Sequence, residues 1–373
     1  MKGIATYFIG FEDIASNEIQ KITGQNVSHR EGALIFPLKD EKDLAKLSYK
    51  AHSLQKVMLL LQEFEYEDEE SLNKIDVDFS QYLDGKTFRV NCIHDETAEL
   101  SGMEIAAKVG EFIVNKTGAK ANMDNPDIIF LIYIYNCNAY LCIDYSGIDL
   151  SKRDYKIYNH PSSLNGSVAY SLLKTAGWKP GKSLLDPMCG SGIIPIEAGL
   201  EYAKRSPHSF IKDKLSFTKL IDFDFNSVDE EILENKKTDS KIYCSDYVLA
   251  SIRATKNNAK IAEIDKIINP TKCDLEWLET KFDEKSIDII ATHPPSVSRH
   301  SNVKELNKVY GELFYQAEYI LKDDGKVAII SNSSEEIINA AENNKFTLVE
   351  KKEVWQRKHR FEVMVFSKSN QKV

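Results

Sequence analysis

Residues 184–198, with the sequence LLDPMCGSGIIPIEA, constrain the fold more than any other stretch of the chain. A short apolar run ends at Asp186, a turn with Gly190 and Gly192 follows, and a helical pattern begins with Pro195 in its first turn. Glycine permits positive φ and lets a ligand approach the backbone closely. A strand, a carboxylate, a glycine turn and a helix, in that order, predict a ligand site at the carboxyl edge of a parallel sheet.

Strand and helix patterns alternate from residue 182 onward. The segments SLLDP, KIYCSD, SIDIIATHPP and GKVAIIS each precede a helical pattern, and two of these helices are predicted over about 303–320 and 335–341. Strands rich in Ile, Leu and Val between helices indicate a parallel sheet that is covered on both faces. The last two segments, FTLVEKKEVW and FEVMVFSK, predict an antiparallel pair.

The glycine turn departs from the two common phosphate-binding patterns. A P-loop needs Lys and Ser or Thr after its last glycine, whereas Ile193 and Ile194 follow Gly192. A dinucleotide fingerprint needs a third glycine and an acidic residue about 20 positions later. Asp186 instead precedes the glycines, where a carboxylate suits a cationic ligand such as the amino and sulfonium groups of S-adenosylmethionine. A purely structural turn is the alternative interpretation.

The front of the chain predicts two small α+β units. Strand and helix patterns alternate up to about residue 67, and a second group begins after the polar stretch 68–78. This second group contains a helix over 102–116 and two strands that meet at Asn136–Asn138, a hairpin signal. Residues 1–160 hold 17 Lys and Arg against 26 Asp and Glu. Bulk charge therefore gives no indication of nucleic-acid binding.

Several classes of protein are excluded by simple patterns. The 6 cysteines form no CxxC pair, and His and Cys show no zinc-ligand spacing, so we predict no metal site. No apolar run approaches the roughly 18 residues that a membrane helix needs. Glu12 and Asp13 interrupt the N-terminal stretch too early for a secretory signal. We therefore expect a cytoplasmic protein with reduced thiols.

The string Asp186–Gly192 followed by Ile-Pro-Ile-Glu-Ala resembles the cofactor motif of class I methyltransferases joined to THUMP domains, the RNA guanine-N2 methyltransferases. The segments SKRDYK and NHPSSLN before it, and the two N-terminal α+β units, are also similar to theirs. The resemblance implies an N-terminal ferredoxin-like domain over 1–67, a THUMP-like RNA-binding domain over 68–155, a linker helix over 156–180 and a Rossmann-like, doubly wound α/β methyltransferase domain over 181–373.

The resemblance also implies S-adenosyl-L-methionine as the cofactor, with a second carboxylate for its ribose after the next strand. Asp246 fits this position, and Asp222 and Asp224 in the polar insertion before it are competing candidates. Tyr247 would lie against the adenine and Asp274 would meet its amino group, although a cap or loop role suits Asp274 nearly as well. The predicted cofactor-binding residues are Leu164, Asp186, Met188, Cys189, Gly190, Gly192, Asp246, Tyr247 and Asp274.

In this family the catalytic loop reads Asn or Asp, Pro, Pro and an aromatic residue at the end of the fourth strand. The amide oxygen accepts a hydrogen bond from the target amine, and the aromatic ring stacks on the base. Neutral His293 has one ring acceptor that can replace the amide oxygen, whereas Ser296 offers no stacking surface. A loop that has lost methyl transfer is the alternative. The predicted catalytic residues are His293, Pro294, Pro295 and Ser296.

Local basic clusters are candidates for contacts with RNA phosphates. Screening limits distant charge to about 8–10 Å, so a local cluster can contact phosphate even on an acidic protein. Solvated surface charge is the alternative for each cluster. The predicted RNA-binding residues are Lys152, Arg153, Arg299, Arg357, Lys358 and Arg360.

We therefore predict methyl transfer from S-adenosylmethionine to an exocyclic amine of a guanosine in structured RNA, with tRNA as the expected substrate. A non-catalytic RNA-binding paralogue and an RNA methyltransferase with another target atom are the competing hypotheses. The sequence leaves open the modified nucleotide, the number of methyl groups, the oligomeric state and the need for a small protein partner.

Overall fold

A computed structural model describes residues 1–96, 98–160, 163–229, 240–296, 302–356 and 359–369. The strands are β1 (Lys2–Tyr7), β2 (Ser28–Arg30), β3 (Ala33–Pro37), β4 (Leu54–Glu65), β5 (Phe88–His94), β6 (Ile128–Tyr135), β7 (Asn138–Asp144), β8 (Leu184–Asp186), β9 (Ile242–Asp246), β10 (Ile268–Lys272), β11 (Ile287–Thr292), β12 (Leu321–Ser331), β13 (Phe346–Gln356) and β14 (His359–Lys368). The helices are α1 (Glu12–Thr23), α2 (Lys42–Lys50), α3 (Ser80–Leu83), α4 (Gly102–Thr117), α5 (Gly166–Thr175), α6 (Ile193–Tyr202), α7 (Phe225–Asp229), α8 (Leu249–Ile261), α9 (Val303–Ile320) and α10 (Ser334–Asn343).

The chain divides into two compact units that are each discontinuous in sequence. The first unit comprises Met1–Tyr7, Ala15–Leu150 and His208–Val228, and the second comprises Phe8–Ile14, Ser151–Pro207 and Asp229–Val373. Among the described residues, every helix is too short or too polar to span a bilayer.

One seven-stranded sheet forms the centre of the first unit, in the order β2-β3-β1-β4-β7-β6-β5. Its strands pair antiparallel except β5 and β6, which are parallel. Strand β4 pairs with β7, so strands from both predicted N-terminal domains share this sheet. The predicted hairpin between β6 and β7 is confirmed: Asn136 and Cys137 have φ of 47° and 62°, the positive values of a tight two-residue turn.

The segment 208–228, part of the predicted insertion, packs within the first unit. Its Phe225 ring meets Tyr49 of α2 edge-on, with 5.0 Å between ring centroids. Phe217 is fully buried and contacts Phe223, and the Lys212 ammonium lies 5.2 Å from the centre of the Tyr49 ring. Phe and Tyr rings therefore anchor this segment.

A second seven-stranded sheet, in the order β10-β9-β8-β11-β12-β14-β13, forms the centre of the second unit. The strands from β10 to β12 are parallel, and β14 and β13 pair antiparallel at one end, as predicted. The order runs outward from β8 in both directions, which is the doubly wound topology. The reversal falls between β8 and β11, where the carboxyl ends of strands leave a crevice for a ligand.

Both faces of this sheet are covered by helices. On β8, Leu184 packs with α5, α6 and α8, whereas its neighbour Leu185 packs with α9 and α10 on the other face. Every residue of α5 except Lys174 is buried, so the helix predicted as a linker is part of the core of the second unit. Helix α9 covers Val303–Ile320, the range predicted from its periodicity.

Candidate cofactor and catalytic site

A cavity of about 530 Å³ lies at the carboxyl ends of β8, β9 and β11. Most of the predicted site residues lie in its wall. These are Leu164, Asp186, Met188, Cys189, Gly190, Asp246 and Tyr247 from the predicted cofactor set, and His293, Pro295 and Ser296 from the predicted catalytic loop. Gly192, Pro294 and Asp274 are not among the lining residues.

Asp186 ends β8 and is 1% exposed. Its Oδ1 accepts two hydrogen bonds, one from the Thr292 hydroxyl at 2.7 Å and one from the Met188 backbone N–H at 3.2 Å. Burial raises the pKa of Asp186 to about 7, because these two donors only partly offset the cost of removing a charge from water. Asp246 adds to the rise, since a second carboxylate nearby disfavours ionisation.

Asp246 ends β9 and is 7% exposed. Its Oδ2 accepts the Gly190 N–H at 3.0 Å and its Oδ1 accepts the Val248 N–H at 2.8 Å. The carboxylate therefore ties the glycine turn after β8 to the start of α8. Each oxygen keeps a second acceptor site for a ligand hydroxyl.

The two glycines of the turn have different structural roles. Gly190 lines the cavity with φ of 52°, and Gly192 caps α6 with φ of 84°. A Cβ on Gly192 would lie 2.5 Å from Thr255 Cγ2 on α8, closer than real atoms approach. Gly192 is thus required by the packing of α6 against α8, and Gly190 by its positive φ.

His160, Ser163 and Leu164 form another wall of the cavity, and Asn258 of α8 holds the nearby Tyr158. The buried Asn258 amide donates to the carbonyls of Tyr158 and Ser191 at 3.0 Å each, and its Oδ1 accepts the Tyr158 N–H at 3.0 Å. The Ser191 hydroxyl also donates to Ser163 Oγ at 3.2 Å. Asn258 therefore sets the distance between this wall and the glycine turn.

The His-Pro-Pro-Ser loop follows β11 and is held by β12 and α9. His293 Nδ1 lies 2.6 Å from the Ile330 carbonyl, so Nδ1 carries the proton and Nε2 is the acceptor of the neutral ring. Burial lowers the pKa of His293, which keeps the ring neutral at pH 7. The Ser296 and Ser331 hydroxyls are 3.0 Å apart, and the Tyr310 hydroxyl donates to the Pro295 carbonyl at 2.6 Å.

Some predicted residues lie away from the cavity wall. Asp274 is exposed and precedes the short 3-10 helix Leu275–Thr280 without a side-chain cap bond. Asp222 and Asp224, the competitors for the ribose position, are exposed residues of the first unit. Tyr247, in contrast, lines the cavity and is 68% exposed.

Arg153 does not fit its predicted contact with RNA. Its side chain is buried, and Nε and Nη2 donate to the two carboxylate oxygens of Glu197 on α6 at 2.7 and 3.1 Å. The Tyr155 hydroxyl donates to the same carboxylate at 2.7 Å. A guanidinium committed to a buried carboxylate cannot also reach a phosphate, so this prediction is wrong.

The remaining basic candidates are on the surface or outside the described residues. Lys152 is exposed. Arg360 is exposed and pairs with Glu353 at 2.6 Å and with Glu362 at 3.7 Å. Arg299, Arg357 and Lys358 lie outside the described residues.

Sequence reasoning missed several residues of the wall. His160 and Ser163 occur in the segment that carried the resemblance, but no role was assigned to them. Cys273 and Leu275 flank the predicted Asp274, so the correct loop was identified with the wrong side chain facing the cavity. The hydrogen bond of Thr292 could have been predicted from the sequence. Thr292 ends β11 directly before the catalytic loop, so its hydroxyl can reach Asp186 at the end of the adjacent β8.

The doubly wound sheet, the glycine turn after β8 and the two buried carboxylates define the class of the protein, an α/β methyltransferase of the Rossmann-like type. The RMKL-like methyltransferase domain family matches residues 153–361, and the THUMP domain matches residues 70–144. The chain belongs to the family of RMKL-like methyltransferase domains and carries a THUMP domain. The predicted family and fold class are thereby confirmed.

Relatives align over most of the chain. The tRNA (guanine(6)-N2)-methyltransferase of Methanocaldococcus jannaschii is 29% identical over 357 residues, which cover 91% of this chain and 93% of that protein. The enzyme of the same name from Archaeoglobus fulgidus is 26% identical over 349 residues, 91% of this chain and 85% of that protein.

Solved structures share the fold over the full length. TrmN from Thermus thermophilus superposes with a TM-score of 0.72 at 20% identity, covering 98% of this chain and 99% of that chain. The SMU.472 protein, solved in complex with SAH, superposes with a TM-score of 0.82 at 19% identity, covering 100% of this chain and 99% of that chain.

Proposed function

We propose that this protein transfers a methyl group from S-adenosyl-L-methionine to the exocyclic N2 amine of a guanosine in tRNA. One observation carries the proposal. The neutral ring of His293 and the carboxylates Asp186 and Asp246 line the same cavity, an acceptor for an amine beside a site for a cationic nucleoside. The tRNA (guanine-N2) activity in the names of the two archaeal relatives supports the substrate.

The residues of the cavity fit the cofactor. Asp186 Oδ2 accepts no hydrogen bond from the described residues, although the carboxylate is 1% exposed. A carboxylate oxygen of a cavity-lining residue with acceptor sites left over suits a cationic ligand such as the cofactor's ammonium group. Asp246, with one acceptor site open on each oxygen, would hold the ribose hydroxyls, and Tyr247 would lie along the adenine. Leu164, Met188, Cys189 and the backbone of Gly190 would enclose the remainder.

The bound cofactor would supply an electrophilic methyl group, and the side chains of the cavity would hold the target amine in position to accept it. The His293 Nε2 lone pair would accept a hydrogen bond from the target amine and orient the nitrogen lone pair, because Nδ1 is fixed on the Ile330 carbonyl. Nε2 can also take the proton that the amine loses. The stiff Pro294–Pro295 turn and the Ser296–Ser331 contact would keep the loop in place.

The THUMP domain supports structured RNA as the substrate. The tRNA activity in the names of the relatives supports a cytoplasmic location. We propose the predicted domains 1–67 and 68–155 as the RNA-binding module and the predicted domain 181–373 as the catalytic domain. Within 156–180, α5 belongs to the core of the second unit, and within 181–373 the segment 208–228 packs in the first unit. Lys152 and Arg360 would contact phosphates.

The test is methyl incorporation from labelled cofactor into unmodified tRNA, followed by nucleoside analysis for N2-methylguanosine. We expect His293→Ala to lower kcat about 100-fold or more, the scale of losing one positioned hydrogen-bond partner. His293→Asn, which restores an amide acceptor, is the matched control and should retain much more activity. Cofactor binding without incorporation by the unaltered chain would favour the non-catalytic paralogue, and a different methylated nucleoside would identify another target atom.

A further inference from the structure

Helix α8 carries a row of exposed cations that the cofactor site does not use. Arg253, Lys256 and Lys260 are exposed and follow one another at spacings of three and four residues, which places them on one face of the helix. The opposite face holds Thr255 and Asn258, which contact the glycine turn. The helix contains no Asp or Glu, so it carries three positive charges on a chain whose net charge is −9.

Within the part of the chain that the structure describes, the three cations of α8 pair with no carboxylate. Glu263, two residues beyond the helix, pairs with Arg205 at 2.9 Å instead. Other exposed lysines of the second unit do have carboxylate partners; three such pairs are Lys285–Asp323, Lys308–Glu276 and Lys345–Glu318, with N–O distances of 3.0, 3.2 and 2.6 Å. The charge on this face of α8 is therefore available to an anionic partner from outside the chain.

The row of cations begins close to the mouth of the cavity. Val248 precedes α8 as its cap residue and lines the cavity, as does Ser251 in the first turn. Arg253 is two residues beyond Ser251, and Lys260 lies about 14 Å beyond it along the axis, at a rise of about 1.5 Å per residue. When one base of a polynucleotide enters the cavity, its neighbouring phosphates must pass over the rim. RNA therefore fits this surface better than an acidic protein, because only the RNA also has to enter the cavity.

We propose that Arg253, Lys256 and Lys260 bind backbone phosphates of the tRNA beside the target guanosine. This inference rests on the proposed function and adds a substrate contact outside the cavity. Neighbouring side chains of the row are about 5–6 Å apart, so one stretch of RNA backbone can contact all three. Phosphate contacts fix the position of the RNA without reading its bases, and each one makes binding more dependent on salt.

Replacing the three cations with Gln tests the inference, because Gln removes the charge and is a good helix former. For the variant Arg253→Gln/Lys256→Gln/Lys260→Gln, we expect the affinity for unmodified tRNA at about 0.1 M salt to fall at least about 10-fold. The slope of log K against log salt should flatten by about 2–3, since each phosphate contact contributes about 0.7–0.9, and each single variant should give about a third of this change. Fluorescence anisotropy over a salt series measures the affinity and the slope.

The matched control is Lys285→Gln/Lys308→Gln/Lys345→Gln, which changes the net charge by the same amount at lysines that have carboxylate partners. This variant should leave the salt slope almost unchanged. Both triple variants should bind SAH, measured by calorimetry, within about twofold of the unaltered chain, because the six side chains lie outside the described cavity wall.

Two results would overturn the inference and leave the proposed function standing. One is an α8 triple variant that binds tRNA with the affinity and salt slope of the unaltered chain, which would leave this face to solvent or to an acidic protein. The other is an equal loss in both triple variants, which would mean that net charge, and not this face, attracts the tRNA. An unaltered chain that binds SAH but neither binds nor methylates tRNA would overturn the proposed function and, with it, this inference.

Discussion

At the residue scale, the site depends on a carboxylate that is costly to bury. Asp186 pairs with two hydrogen-bond donors and still has its pKa raised to about 7, because water is excluded and Asp246 is near. Burial of an ionisable group that costs stability is typical of functional positions, where a ligand supplies the missing partner. The open Oδ2 of Asp186 is the atom where we expect that partner.

The raised pKa of Asp186 predicts how the stability of the apo protein depends on pH. The folded pKa of Asp186 lies above its ordinary value of 3.8, so its stabilising contribution is complete below about pH 4 and is lost as pH rises through 7. Asp186→Asn should therefore raise the apo Tm relative to the unaltered chain at pH 8, with the difference disappearing towards pH 4. Thermal unfolding at both pH values measures this.

The same substitution should weaken ligand binding, although it stabilises the apo protein. Asp186→Asn removes the charge that a cationic nucleoside would meet, so SAH affinity should fall at least about 10-fold at pH 8. The affinity of the unaltered chain should weaken below pH 7 as Asp186 takes up a proton. Unchanged affinity in the Asn variant would contradict the assignment of Asp186 to the cofactor.

At the element scale, α8 organises the cavity although few of its residues line it. Thr255 donates its hydroxyl to the Gly190 carbonyl at 2.9 Å, and its methyl group requires a glycine at 192. Asn258, one turn further along, joins Tyr158 to Ser191. Residues at i and i+3 lie on one helix face, so one face of α8 positions two separate walls.

Asn258→Asp tests this organisation. The new carboxylate would replace an amide that donates to two carbonyl oxygens, and a buried acceptor facing two acceptors is strongly unfavourable. We expect a loss of about 2–4 kcal/mol of stability and a SAH affinity at least about 10-fold weaker. Isothermal titration and chemical unfolding measure the two effects.

Asn257→Asp, on the same helix but partly exposed, is the matched control and should change both quantities little. If the two variants behaved alike, the clamp on Tyr158 and Ser191 would have no special importance.

At the scale of the whole molecule, each compact unit is assembled from segments that are not consecutive in the chain. Residues 208–228 lie between α6 and β9 in sequence but pack in the first unit through Phe217 and Phe225. Leu215 and Phe217 are fully buried there. A fragment that starts at residue 151 would therefore carry an apolar segment without its partners.

We expect the fragment 151–373 to bind an apolar dye and to aggregate. The same fragment with 208–228 replaced by a short Gly-Ser linker should bind less dye and aggregate less, because the exposed Phe rings are gone. Both fragments lack Phe8–Ile14 of the second unit, so the comparison isolates the effect of 208–228. Light scattering and dye fluorescence compare the two. A monomeric fragment that keeps 208–228 and binds no dye would show that the segment does not depend on the first unit.

The sequence by itself determined the local features of this protein. Hydrophobic periodicity predicted α9 over about 303–320, the turn signal at Asn136–Asn138 predicted the β6–β7 hairpin, and the carboxylate before a glycine turn located the cavity at the end of β8. Each of these features depends on residues close together in the chain. Backbone preferences and side-chain spacing are enough to specify them.

Only the tertiary structure decided which partner each polar side chain takes. Arg153 looked like a surface cation, but Glu197, 44 positions later, pairs with it in the core. His160 had no role assigned from its sequence context, but folding brings it into the cavity wall beside Gly190. A guanidinium suits a phosphate and a carboxylate equally well, and an imidazole suits many neighbours. Burial and long-range packing make the choice, and neither is visible in a local pattern.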